Sequence, residues 1–282
     1  MNAITFKTIG IGVNFSPNLE ANINEAARLA LCLGSKLVLI HVGETSDEKS
    51  KTFLTFLKPF VNNGLEFEIL FKSGDPVDVI LSSTIEKNID LLIIGALKKE
   101  NFLKYYLGSI ARKITRKASC SVLLLINPSI ERVPCEHIVV NGLKDPKTKE
   151  TVNTAFLVGH KLGVGKITVV EEIDQEEVSV KVDDDKTLRK STIIKERLRL
   201  REEARVKVVL DTIPANYTKD MTIKSQPIFG KRGYSIGHYA QVARADLLVM
   251  NAPSKMTFWD RLFPHDIEHI LTELPTDVLI VQ

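Results

Sequence analysis

Nowhere in its 282 residues does the chain run to the ~18–20 consecutive apolar residues that span a bilayer, so no membrane insertion is expected. The N-terminus, MNAITFKTIGIGVNFS, lacks a basic stretch followed by a long apolar core, and a cytoplasmic location is expected. Cysteine is scarce. Cys32, Cys120 and Cys135 are an odd count with no close pairing, which argues against a disulfide scaffold and for a reducing compartment. Neither sign of charge is in excess: 38 basic and 35 acidic residues leave +3, which gives no strong pull toward nucleic acid or anionic lipid. Catalytic groupings are missing as well. His41, His137, His160 and His238 share no spacing, and no nucleophile, base and orienting acid are recognisable together, so no catalytic residue is assigned. One segment, His265-Asp266-Ile267-Glu268-His269, has the H-x-x-E-H spacing that puts two imidazoles on one helical face. It lacks a third ligand and reads as a helix start whose acids suit the positive end of the helix dipole; no metal site is assigned.

What is present is an ordinary globular composition, 44% apolar and 26% charged, long enough for two hydrophobic cores. Thr8 to Val13 is a short apolar strand, and Ser16-Pro17 supplies a cap and a first-turn proline for a helix that follows at once. Leu19, Ile23, Ala26, Ala27, Ala30 and Leu33 recur at helical spacing until Gly34 caps the end. Lys36 to Val42, KLVLIHV, is an unbroken aliphatic run, as in a parallel strand covered on both faces. A helix around Lys49 to Asn62, broken near Pro59, leads to a strand from Leu65 to Phe71. Gly74-Asp75-Pro76 opens a third helix with Val77, Ile80, Leu81, Thr84 and Ile85 facing inward. Leu91 to Ile94 is a strand stopped by Gly95, and a lysine-bearing loop (Lys98, Lys99, Lys104) runs to a helix opened by Gly108-Ser109. Strands alternating with helices imply a doubly wound α/β sheet of the Rossmann-like kind, whose ligands lie beyond the carboxyl ends of the strands.

The plan then repeats. Asp90-Leu91-Leu92-Ile93 recurs as Asp246-Leu247-Leu248-Val249, and Val122-Leu123-Leu124-Leu125 as Val278-Leu279-Ile280-Val281, both at an offset of 156. Two five-stranded domains are expected, residues 1–130 and 131–282, with insertions in the second at about 174–203 and 212–229, the latter a loop. The charged segment Asp174 to Glu203 reads as a solvated face, and the aromatic stretch Thr257 to Phe263 as a loop packed on its domain.

These residues, in this order and register, resemble the universal stress protein family, and the chain looks like a tandem member. The likeness rests on the strand ending Val13-Asn14-Phe15-Ser16, on Leu39-Ile40-His41-Val42, on Gly74-Asp75-Pro76, and on Gly95 spaced from Gly108-Ser109. It implies ATP or another adenine nucleotide bound in the first domain by Gly12, Val13, Asn14, Val42, Gly95, Lys98, Gly108, Ser109 and Ile110. The family's middle glycine is here Lys98, and its acidic residue after strand one is Asn14. Lysine costs roughly 1–2 kcal/mol if a left-handed backbone is required, whereas its ammonium would neutralise phosphate. The other reading makes Ser109 only an N-cap and Gly95 only a turn. In the second domain the matching positions are Asn251, Ser254, Pro264 and His265, and no nucleotide is expected there. The resemblance also implies pairing through the last strands, Val122 to Ile126 and Val278 to Val281, as a pseudo-dimer of the two domains, with a homodimer of the chain as a further expectation. The function so implied is a stress-response regulator acting through an unidentified protein partner. The alternative is a nucleotide-free adaptor, and a slow ATPase is less favoured for want of a base or magnesium-binding acid near Gly95.

Overall fold

The computed structural model describes residues 5–98, 105–178, 180–231, 233–252 and 266–282; Ser254, Thr257 to Phe263, Pro264 and His265 lie outside them, as do Lys99 and Lys104. In chain order the first elements are β1 (Thr8–Val13), α1 (Leu19–Leu33), β2 (Lys36–Val42), α2 (Asp47–Val61), β3 (Phe67–Lys72), α3 (Pro76–Glu86) and β4 (Leu91–Gly95). A short hairpin, β5 (Leu97–Lys98) and β6 (Tyr105–Tyr106), precedes α4 (Ser109–Lys117) and β7 (Ser121–Leu125). Then come β8 (His137–Asn141), α5 (Thr148–Leu162), β9 (Lys166–Asp174), α6 (Asp185–Leu210), α7 (Ala215–Thr218) and β10 (Thr222–Gly230). The remainder is α8 (Tyr234–Val242), β11 (Leu247–Asn251), α9 (Asp266–Thr272) and β12 (Asp277–Val281).

The chain forms two compact units, one of residues 2–135 with 271–282 and one of residues 136–270. In the first, the strand order is β12-β7-β4-β1-β2-β3; all are parallel except β12, which runs antiparallel to β7. The expected pairing of Val122–Ile126 with Val278–Val281 is thus present, with Leu279 opposite Leu123. In the second, β10-β9-β8-β11 are parallel. In both units the strands are mostly parallel with flanking helices, the Rossmann-like architecture. The continuous aliphatic strands have the burial that their pattern demands: Leu37, Val38, Leu39 and Ile40 of β2 have no exposed surface.

A repeated carboxylate explains part of the sequence repeat. Asp90 Oδ2 accepts the N–H groups of Lys7 (2.8 Å) and Thr8 (3.0 Å), and Asp246 Oδ2 accepts those of Glu136 (2.8 Å) and His137 (2.9 Å). Each ties the entry of its unit's first strand to the neighbouring strand. Gly34 is left-handed (φ 71°) at the end of α1, and Asp75 caps α3 by accepting from Val77 and Asp78, with Pro76 in the first turn.

Several boundaries differ from the sequence reading. α1 begins at Leu19 because Ser16 N–H bonds Asn14 O and Leu19 N–H bonds Ser16 O, a turn that uses up the proposed cap. α2 continues through Pro59, whose missing N–H falls in its closing turn. Ile85 is 70% exposed rather than inward. Residues 212–229, read as a loop, contain α7 and most of β10. Polar Lys224, Ser225 and Gln226 disguise the strand, and Pro227 is tolerated because β10 is an edge. The charged segment before it runs from the last residue of β9 through a short 3-10 turn (Gln175–Glu177) into most of the crossover helix α6, the counterpart of α2.

Candidate functional site

Register sets the site. Val13 pairs with His41, and Ile11 pairs with Ile93, so Val13 and Gly95 end their strands at one level, with Val42 beside them. Gly12, Val13, Asn14, Val42 and Gly95 therefore come together at the carboxyl ends of three adjacent strands, roughly 10 Å across at ~4.8 Å per strand. Asn14 and Phe15 face solvent; the Phe15 ring, 51% exposed, stacks on Phe53 (5.4 Å) and meets His41 edge-on (5.6 Å). His41 is itself buried with Nδ1 3.1 Å from Val13 O, a structural role. Gly95 keeps the end of β4 open: a Cβ there would sit 3.2 Å from Asn22 Oδ1, a buried oxygen with no hydrogen-bond partner.

The first turn of α4, which Gly108 brings against Leu97 just past Gly95, carries neither an acid nor a side-chain cap. Gly108, extended at φ −62° and ψ 164°, is the N-cap, and Ser109 is the first helical residue, so Ser109 is not the capping residue. No hydrogen bond engages the N–H groups of Ser109, Ile110 or Ala111 among the described residues. Ser109 and Ile110 are exposed. Gly108 admits the hairpin, since a Cβ would lie 3.0 Å from Leu97 Cδ1. Lys98 is in β5, paired with Tyr105 as extended strand backbone. The backbone there takes lysine without strain, so the left-handed penalty does not arise. Asn22 was missed from the sequence; its sole signal is a polar residue beside the inward stripe of α1.

In the other unit the corresponding strand ends are filled. Asn251, in the place of Gly95, donates to Thr148 Oγ1 (3.4 Å), and Asn141, fully buried, accepts from Leu143 N–H (3.1 Å). Nearby, a cavity of about 560 Å³ is lined by Lys144, Asp174, Glu177, Arg201, Glu202 and Arg205 among others. Its arginines are spoken for: Arg201 reaches Glu177 (3.0 Å) and Glu202 (2.8 Å), and Arg205 reaches Glu202 (2.7 Å) and the Leu143 carbonyl (3.2 Å). Burial works against ionising Glu202, but hydrogen bonds from Arg205 and Arg201 outweigh it and hold its carboxyl below the ordinary range. Beneath, Glu171 is 1% exposed; burial pushes its carboxyl up to about 7 despite a hydrogen bond from Ser225 (2.9 Å). Cys120 is likewise buried and its thiol is pushed up to about 11 by burial, an inert core cysteine.

The fold is that of a doubly wound α/β protein, with the carboxyl ends of β4, β1 and β2 side by side and an uncapped start to α4. Residues 57–125 match the universal stress protein family model. A curated relative, Universal stress protein YxiE of Bacillus subtilis (strain 168), is 27% identical over 62 residues, 22% of this chain, and the match spans 42% of that protein's length. The fold over 98% of the chain is similar to that of a protein of unknown function from Pseudomonas aeruginosa PAO1 (TM-score 0.70, 17% identity, 92% of that chain). It is also similar over 99% of both chains to a universal stress protein from Archaeoglobus fulgidus DSM 4304 (TM-score 0.68, 16% identity). Residues 57–125 thus carry the sequence pattern of the universal stress protein family, and the chain as a whole shares the fold of these solved structures.

Proposed function

We propose that the unit built from residues 2–135 and 271–282 binds ATP or another adenine nucleotide, and that occupancy tunes the protein's contacts with a partner in a stress response. The observation that carries this reading is the uncapped, acid-free start of α4, whose Gly108 lies against Leu97, two residues beyond Gly95. Phosphates would rest on the N–H groups of Ser109, Ile110 and Ala111, where the helix dipole favours negative charge. Ribose and base would run toward Asn14 and Val42, with Asn22 Oδ1 an unused acceptor on the way. A span of roughly 10 Å across three strands suits a nucleotide lying along the strand ends. The Lys98 ammonium then joins the phosphates in place of the family's glycine.

Isothermal titration with ATP tests the reading. Binding should be measurable and should fall more than about tenfold, ~1.4 kcal/mol, in Ser109→Trp. No heat with a nucleotide-free sample refutes it, and unchanged affinity in the variant refutes the site. A nucleotide-free adaptor is the second reading, favoured by Leu97 lying against Gly108 at the mouth of the cleft. The two expectations for assembly, a domain pseudo-dimer and a homodimer, belong to both readings.

A further inference from the structure

The 26-residue helix α6 carries nine Lys and Arg against four Asp and Glu, a net +5 that exceeds the +3 of the whole chain. The overall near-balance therefore hides a local concentration. One side of α6, marked by buried Ser191, Glu202 and Val206, packs on the sheet of its unit. On a helix of 3.6 residues per turn the opposite side presents Ile193, Leu200 and Val208 within about 80° of one another. They are 53%, 52% and 68% exposed. Burying none of these, α6 has a second apolar stripe that its own fold does not use.

Of the four acids on α6, Asp185 is exposed in the first turn and the other three are paired. Glu196, Glu202 and Glu203 are each held by an arginine: Arg199 takes Glu196 (2.7 Å) and Glu203 (2.9 Å), while Arg201 and Arg205 share Glu202. Lys195 lies over the Phe229 ring on the packed side. Lys186, Arg189, Lys190, Arg197 and Lys207 have no acidic partner among the described residues; all are exposed and share the arc of Ile193, Leu200 and Val208. They extend over ~32 Å at 1.5 Å per residue. Five unneutralised cations flanking a shallow apolar line are what a helix lying flat on an anionic lipid surface presents: ammonium and guanidinium groups at headgroup level, aliphatic side chains at the acyl boundary.

We propose that the outward face of α6 is a reversible docking surface for anionic membrane, with Lys186, Arg189, Lys190, Arg197 and Lys207 on lipid phosphates and Ile193, Leu200 and Val208 at the interface. Adsorption needs no transmembrane span, and no helix among the described residues is long and apolar enough to form one. The face is independent of the nucleotide cleft, so either reading stands without the other.

Co-sedimentation of the full chain with phosphatidylglycerol-containing vesicles tests this. Binding at low salt should disappear with pure phosphatidylcholine vesicles and weaken as salt screens the contacts. Neutralising Arg189, Lys190 and Arg197 together as glutamines should lower affinity about a hundredfold, at roughly fivefold per cation. Ile193→Ser with Leu200→Ser should weaken binding while leaving the charge intact; circular dichroism checks that each variant folds. Absence of vesicle binding overturns the proposal. So does full retention of binding by the serine double variant, which would mean that α6 reads polyanions such as RNA through charge alone.

Discussion

Replacing Glu171 with glutamine should flatten the pH dependence of stability. The wild-type carboxyl is 1% exposed, its Oε2 has no partner, and burial holds its pKa at about 7 against an ordinary 4.5. Facing it are the Ser225 hydroxyl on β10 and, on α6, Arg205, which favours ionisation, and Glu202, which opposes it. The folded state thus holds a proton that the unfolded chain gives up between pH 4.5 and about 7, and stability falls as pH rises through that window. A shift of this size corresponds to about 3 kcal/mol, an upper figure because Arg205 can move toward the charge. Glutamine still accepts from Ser225 but does not titrate. Urea unfolding followed by circular dichroism at pH 5 and pH 8 gives the change for each protein, and the difference between those changes cancels whatever glutamine costs at both pH values. Over that interval the wild type should lose up to about 2.5 kcal/mol more than the variant, since part of the shift is already lost at pH 5. Equal losses would show that Glu171 is solvated or stably paired, and the burial argument would be wrong.

Other outcomes follow from single contacts. Asp90→Ala leaves the Lys7 and Thr8 N–H groups without their acceptor and should cost about 1–3 kcal/mol in urea unfolding; a neutral result would mean that water replaces the carboxylate. Gly142→Ala places a Cβ 2.9 Å from Val169 Cγ1 and 3.2 Å from the Val170 carbonyl, and should destabilise by about 1–3 kcal/mol, read as a lowered melting temperature. Deleting residues 277–282 uncovers the apolar edge of β7, and light scattering should detect association that the intact chain does not show.

Much of the fold was legible because its cues are local. KLVLIHV is too uniformly aliphatic for anything but a strand covered on both sides, and Gly34 and Asp75-Pro76 mark helix ends by backbone chemistry that needs no tertiary context. The recurrence of Asp90 as Asp246 pointed to a repeat, and its cause, a carboxylate receiving two strand-entry N–H groups, emerges once the strands lie side by side. The candidate site was legible for the same reason at Gly95 and Gly108. What escaped depends on distant partners. Asn22 matters because α1 brings it against Gly95. β10 looks like a loop because one of its edges faces no strand, so its residues need not alternate. The burial of Glu171 requires Ser225 and α6 to close over it; in sequence it is one acid among many.

The pairing of β12 with β7 also has a temporal side. Some 150 residues of chain separate Leu124 from its partner Val278. At roughly 5–20 residues per second, synthesis leaves the edge of β7 unpartnered for about 8–30 seconds after that strand has been made. During this interval the nascent first half has its parallel core but an open aliphatic margin, the form in which a growing chain is exposed to strand-seeking neighbours and to chaperones. Completion of that margin waits on a segment encoded at the far side of the second repeat, so a stall in translating the second half becomes a folding defect of the first.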